Sequence, residues 1–105
     1  MQTNSLSRKR RKYLAKRNFI TYYLQDYYLS KEYSNIFYSN NIVTSHMPFL
    51  QKIYDAYEND YNNNPQKYNS NPNNFRIKCA KHIVKILENM LIKTKQRIKE
   101  IDKLI

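Results

Sequence analysis

The chain has 105 residues, a net charge of +11 and a single cysteine, with no glycine and no tryptophan. That length holds one small domain. The missing glycine excludes phosphate-cradling loops and dinucleotide fingerprints, and the lone Cys79 excludes an internal disulfide. The first predicted element is a helix over residues 1–30, capped by Ser5 or Ser7. Its head is crowded with cations: Arg8, Lys9, Arg10, Arg11, Lys12, Lys16 and Arg17, with no acid before Asp26. Leu6, Tyr13, Ile20 and Tyr27 recur every seven residues, and Leu24 joins their side. The first half is too charged for an apolar core and reads as a basic arm over residues 1–17. Residues 19–29 are apolar or aromatic nearly all round, which predicts a buried or partner-facing stretch. Residues 31–45 extend this helix or form a short strand, on Tyr33, Ile36, Phe37, Ile42 and Val43.

A second helix is predicted over residues 47–61, completing a Tyr-rich helical segment at 18–61. Thr44 or Ser45 supplies the cap, and Pro48 suits the first turn. Leu50, Ile53, Tyr57 and Tyr61 form its apolar stripe, with Phe49 and Tyr54 beside it. Asp55, Glu58 and Asp60 sit toward its C-terminal end, where acids oppose the macrodipole, so the end frays unless a basic neighbour is present. Residues 62–74 hold Pro65, Pro72 and seven asparagines and form a linker. Without glycine, any turn with positive φ falls to asparagine.

Residues 75–105 give the strongest structural signal. Ile77, Ala80, Val84, Leu87, Leu91, Thr94, Ile98, Ile101 and Ile105 alternate spacings of three and four, a heptad stripe interrupted by Thr94. Asn73 or Asn74 is its predicted cap. From Ile77 to Ile105 such a helix spans roughly 42 Å. Ile83, Ile86, Met90 and Ile92 widen the stripe. Lys78, Lys81, Lys85, Lys95, Lys99 and Lys103 cover the opposite face. The expected fold is all-α: a basic N-terminal helix or arm, a middle helix, an Asn-rich loop and a long C-terminal coiled-coil-like helix. Leu, Ile, Val and Phe number 25. That exceeds the roughly one-fifth of residues below which chains stay disordered, but it is thin for a self-sufficient core. Ile77, Val84, Leu87, Leu91, Ile98 and Ile101 are therefore candidates for packing on a partner, although the pattern equally allows packing within the chain.

The basic head carries the functional signal. Such density repels itself and calls for a polyanion. Four of the six arginines lie between Arg8 and Arg17. Arginine binds phosphates bidentately and stacks on bases, which favours RNA over DNA. Lys78, Lys81 and Lys85 are added to this candidate nucleic-acid surface. Anionic lipid such as cardiolipin, or a solvated charge run, are the competing readings. The eleven tyrosines invite base stacking, most densely at Tyr22-Tyr23 and Tyr27-Tyr28, but packing is the plainer account of tyrosine at helical spacing. Cys79 and His82 have the spacing of two zinc ligands. Zinc takes four, and His46 is the one other histidine, so no metal is expected. No nucleophile–base pattern appears, and the chain is expected to be neither an enzyme nor a cofactor binder.

No stretch reaches the roughly 18 apolar residues that span a bilayer, and no hydrophobic block precedes a cleavage site, which argues against secretion. Phe, Tyr, Met, Ile, Asn and Lys supply 56 residues, whereas Gly, Ala, Arg and Pro supply 12. The first group has A/T-rich codons, so the gene reads as AT-rich. In composition and layout the chain resembles the small ribosomal proteins encoded in AT-rich organellar genomes, on Arg8-Lys9-Arg10-Arg11-Lys12 and the Lys-rich face of residues 78–103. The resemblance implies a structural rRNA-binding subunit of a mitochondrial ribosome in the matrix, contacting rRNA and neighbouring proteins and no small-molecule substrate. The cytoplasm of an AT-rich host, or a virion, are the alternative locations. Two other classes fit the same residues: a helical accessory subunit of a mitochondrial inner-membrane complex, and a viral or bacterial DNA-binding or coat protein.

Overall fold

The structure is a computed structural model that describes residues 2–30 and 47–105, with side chains placed over 5–25 and 47–105. Among the described residues every regular element is helical. They are α1 (Gln2–Ser30), α2 (Phe49–Asn63), a 3-10 turn (Pro65–Tyr68) and α3 (Pro72–Leu104). The fold is all-α, as expected. The segment 31–45, with the caps assigned to Thr44 and Ser45, lies outside the described residues.

Local chemistry sets the helix ends. Asn71 adopts an extended backbone, and its Oδ1 accepts the N–H of Asn73 at 3.0 Å. Pro72 then fills the first helical position, where a missing N–H costs nothing. The helix thus starts ahead of the predicted caps Asn73 and Asn74. Asn74 instead donates its Nδ2 to the Tyr68 carbonyl at 2.7 Å. Ser5 and Ser7 fall inside α1, which begins at Gln2, so neither caps it. The turn before α3 places Asn69 and Ser70 at φ 55°, the left-handed region that glycine would normally occupy.

The helices pack as an antiparallel pair with a third laid against one end. Ile20, Tyr23 and Leu24 of α1 join Cys79, Ala80, Ile83, Val84 and Leu87 of α3 in the core. At the other end of the pair, Arg10 reaches Asp102, 92 residues away. Met47 and Leu50 close the core from the α2 side. Most of the heptad stripe is covered within the chain: Ala80, Val84, Leu87, Thr94, Ile98 and Ile101 are buried and Leu91 is half-buried, whereas the terminal Ile105 is exposed. Of the residues weighed for partner packing, Ile77 alone stays open, at 40 % exposure. Thr94 interrupts the stripe without an unmet polar group, because its Oγ1 donates to the Met90 carbonyl at 2.7 Å.

The basic arm departs from expectation. Its Leu6, Arg10, Tyr13 and Arg17 are half-buried, in register with buried Ile20 and Leu24. Spacings of four and three put all six on one face of α1. Two stripe positions are therefore arginines. Long arginine stems can cover apolar surface while the guanidinium stays at the rim, so a charged half-helix still packs.

Two substitutions test this packing. Leu87→Ala is expected to lower unfolding free energy in urea by about 2–5 kcal/mol, whereas Ile92→Ala, 64 % exposed, changes it by no more than about 0.5 kcal/mol. Tyr23 is 3 % exposed, and its hydroxyl is buried with no hydrogen-bond partner. Tyr23→Phe is expected to raise stability by about 1 kcal/mol, since it removes an unmet polar group.

Candidate nucleic-acid interface

The antiparallel pairing lays the basic arm beside the C-terminal half of α3. Residues 5–17 and 90–105 together hold twelve Lys and Arg against two acids. Both acids are already engaged: Asp102 accepts from Arg10 Nε at 2.6 Å, and Glu100 pairs with Arg97 at 3.4 Å. Arg8, Lys9, Arg11, Lys12, Lys16, Lys93, Lys95, Arg97, Lys99 and Lys103 are exposed. Arg17 is half-buried, with Nε and Nη2 donating to Asn18 Oδ1 at 3.3 and 3.2 Å. Packed helices lie about 8–10 Å apart, close to one Debye length at physiological salt, so the two charged segments share one field.

Lys78, Lys81 and Lys85 are not part of this cluster. They sit on the N-terminal half of α3, the half that α2 covers. Lys78 Nζ lies 5.2 Å above the Tyr68 ring, and Lys67 lies 5.7 Å from the same ring. Lys78 thus helps close the loop between α2 and α3. Lys93, Lys95, Arg97, Lys99 and Lys103 lie on the half of α3 that runs beside the arm. The helical spacing puts Lys95, Lys99 and Lys103 on the Lys-rich face of residues 78–103 without setting that face beside the arm. Their nearness to the arm follows from the direction of helix pairing, which carries no local signal.

Most placed tyrosines pack. Tyr61 stacks on Phe75 at 5.2 Å, with Tyr54 and Tyr68 around the same ring at 5.8 and 6.4 Å. Tyr57 Oη lies 3.1 Å from His82 Nδ1. The dense pair divides: Tyr23 is buried and Tyr22 is 65 % exposed. The side chains of Tyr27 and Tyr28 lie outside the described residues. Cys79 is fully buried, and desolvation pushes its thiol up to about 12, which favours the neutral thiol at neutral pH. His46 lies outside the described residues, among which no group of three metal-ligating side chains forms. No described helix is long and apolar enough to cross a membrane.

Of the three acids of α2, Asp60 finds a basic neighbour. Asp60 accepts from the Tyr68 hydroxyl at 2.6 Å and from Lys67 Nζ at 2.9 Å. The Tyr68 bond and then Lys67 hold its carboxyl below the ordinary value of 3.8. No family model matches the chain, and the searches found no similar curated protein and no similar solved structure.

Asp60 gives the loop a pH dependence of defined sign. The folded chain binds this proton less tightly than the unfolded chain. The stabilisation is therefore complete above 3.8 and disappears as pH falls through the lower folded value. In urea titrations between about pH 6 and about pH 3, Asp60→Asn is expected to lose stability at the upper end and to show a shallower acid decline. Parallel curves for the two proteins would mean the Tyr68 and Lys67 contacts carry no weight.

Proposed function

We propose that this chain is a structural RNA-binding protein of a ribonucleoprotein particle, with the ribosome of an AT-rich organelle as the setting its composition fits. The observation that supports this reading is the cluster of ten exposed Lys and Arg where the arm lies along α3, with both nearby acids already paired. Isolated in water, that end of the pair repels itself. A phosphate backbone removes the repulsion and releases condensed counterions, a gain that does not depend on sequence. The arginines at Arg8 and Arg11 add bidentate phosphate contacts. The role is architectural, with rRNA held along the basic end. The α2 end, whose surface carries fewer net charges, faces neighbouring proteins.

Salt titration of RNA binding tests this. With about seven phosphates engaged, the slope of log affinity against log salt is expected near −5. Replacing Lys93, Lys95 and Lys99 by Ala should reduce its magnitude by about 2, whereas Lys81→Ala with Lys85→Ala should leave it within about 0.5. The native protein should co-sediment with ribosomes and leave them at high salt. A flat salt response, or tighter binding to anionic vesicles than to RNA at equal salt, would overturn the reading.

A further inference from the structure

We infer that Tyr22 is a stacking platform for an unpaired base of the bound RNA; this rests on the RNA reading above. The outward face of α1 carries Arg8, Arg11, Ala15, Asn18 and Tyr22. Their spacings of three, four, three and four put them on one stripe, turned away from Leu6, Tyr13, Ile20 and Leu24. All five are exposed. The stripe begins with two arginines, passes a small residue and a short amide, and ends on an aromatic ring.

Tyr22 does not belong to the core. It is 65 % exposed, whereas its neighbour Tyr23 is 3 % exposed. Tyr23 meets the Tyr22 ring edge-on, with centroids 5.6 Å apart at 89°. A buried, fixed ring thus braces an exposed one. Bracing limits the rotamer freedom that Tyr22 loses on binding.

The surroundings select the ligand. The other large apolar side chains left exposed among the described residues are Phe49, Ile77, Ile92, Leu104 and Ile105, all on other elements. On its own stripe Tyr22 is the single aromatic among cations and an amide, which is unlike an apolar docking face. Cations for phosphates followed by a ring for a base is the pairing that single-stranded nucleic acid uses. A paired base is already stacked on both faces, so the ring requires an unpaired one. Along α1, Arg8 to Tyr22 covers roughly 21 Å, the length of a few extended nucleotides. Ala15 leaves room for the strand to approach the helix between its phosphate and base contacts.

The test uses the full chain with oligoadenylate of about twelve nucleotides, and a blunt RNA duplex of equal length. Tyr22→Ala should weaken oligoadenylate binding about 5- to 150-fold, the span expected for one stacked base. It should leave the salt slope and the duplex affinity unchanged. Tyr22→Phe should bind like the parent chain, because stacking needs no hydroxyl. Circular dichroism and urea unfolding of both variants should match the parent, since Tyr22 is exposed. Undiminished oligoadenylate binding by Tyr22→Ala overturns the platform and leaves the salt-dependent RNA reading intact. So does an equal loss on duplex, or a loss in Tyr22→Phe as large as in Tyr22→Ala. Absence of salt-dependent RNA binding by the parent chain overturns both.

Discussion

The seam between α1 and α3 is the contact on which the rest of the molecule depends. It joins two segments that carry the same charge, so its sign is decided by magnitudes. Two like charges about 10 Å apart in water repel by about 0.4 kcal/mol, and salt reduces this further. Burying one large aliphatic side chain contributes about 1.5–3 kcal/mol. Ile20, Leu24, Ile83 and Leu87 are all buried in the shared core. Burial wins, and the repulsion remains as a field at the end where the arm lies.

The second helix serves the same seam. It covers the first half of α3 and shuts the core with Met47 and Leu50. Its awkward end, with acids where the macrodipole disfavours them, is held by a short loop rather than by a distant partner. Lys67 and Tyr68 come back to Asp60, and Tyr61 and Tyr68 enclose Phe75. Lys78 lies over Tyr68 and so belongs to this assembly. The molecule is thereby divided along its length. On one half of α3 Lys78 lies over an aromatic loop, and the other half presents its lysines to solvent alongside the arm.

That division bears on function. A disordered basic tail binds phosphates but must be ordered as it does so. Here the arm is a helix packed on α3, with Arg10 and Arg17 at positions where an aliphatic residue would bury more surface. Arg10 instead ties the seam to Asp102 at its basic end. Rigidity is also what makes a single exposed ring at Tyr22 meaningful, since its distance from Arg8 and Arg11 is set by the helix.

What could be read from the chain was what is local. The spacing from Ala80 to Ile101 predicts α3 because helix faces repeat over neighbouring turns, and Pro65, Asn64, Asn69 and Asn71 mark the loop because they act on their own backbone. Asn69 in the left-handed region is the expected consequence of having no glycine, whereas Ser70 at the same φ departs from the expectation that asparagine alone takes such positions. The cap at Asn71 was missed by two residues because Pro72 could equally end a loop or begin a helix. The sequence alone determined helices, charge and the absence of glycine turns. It did not determine which cations share a surface or which tyrosine of Tyr22-Tyr23 faces water. Those depend on the direction and rotation of α1 against α3, set by contacts as far apart as Arg10 and Asp102, and such contacts leave no mark in any short window of residues.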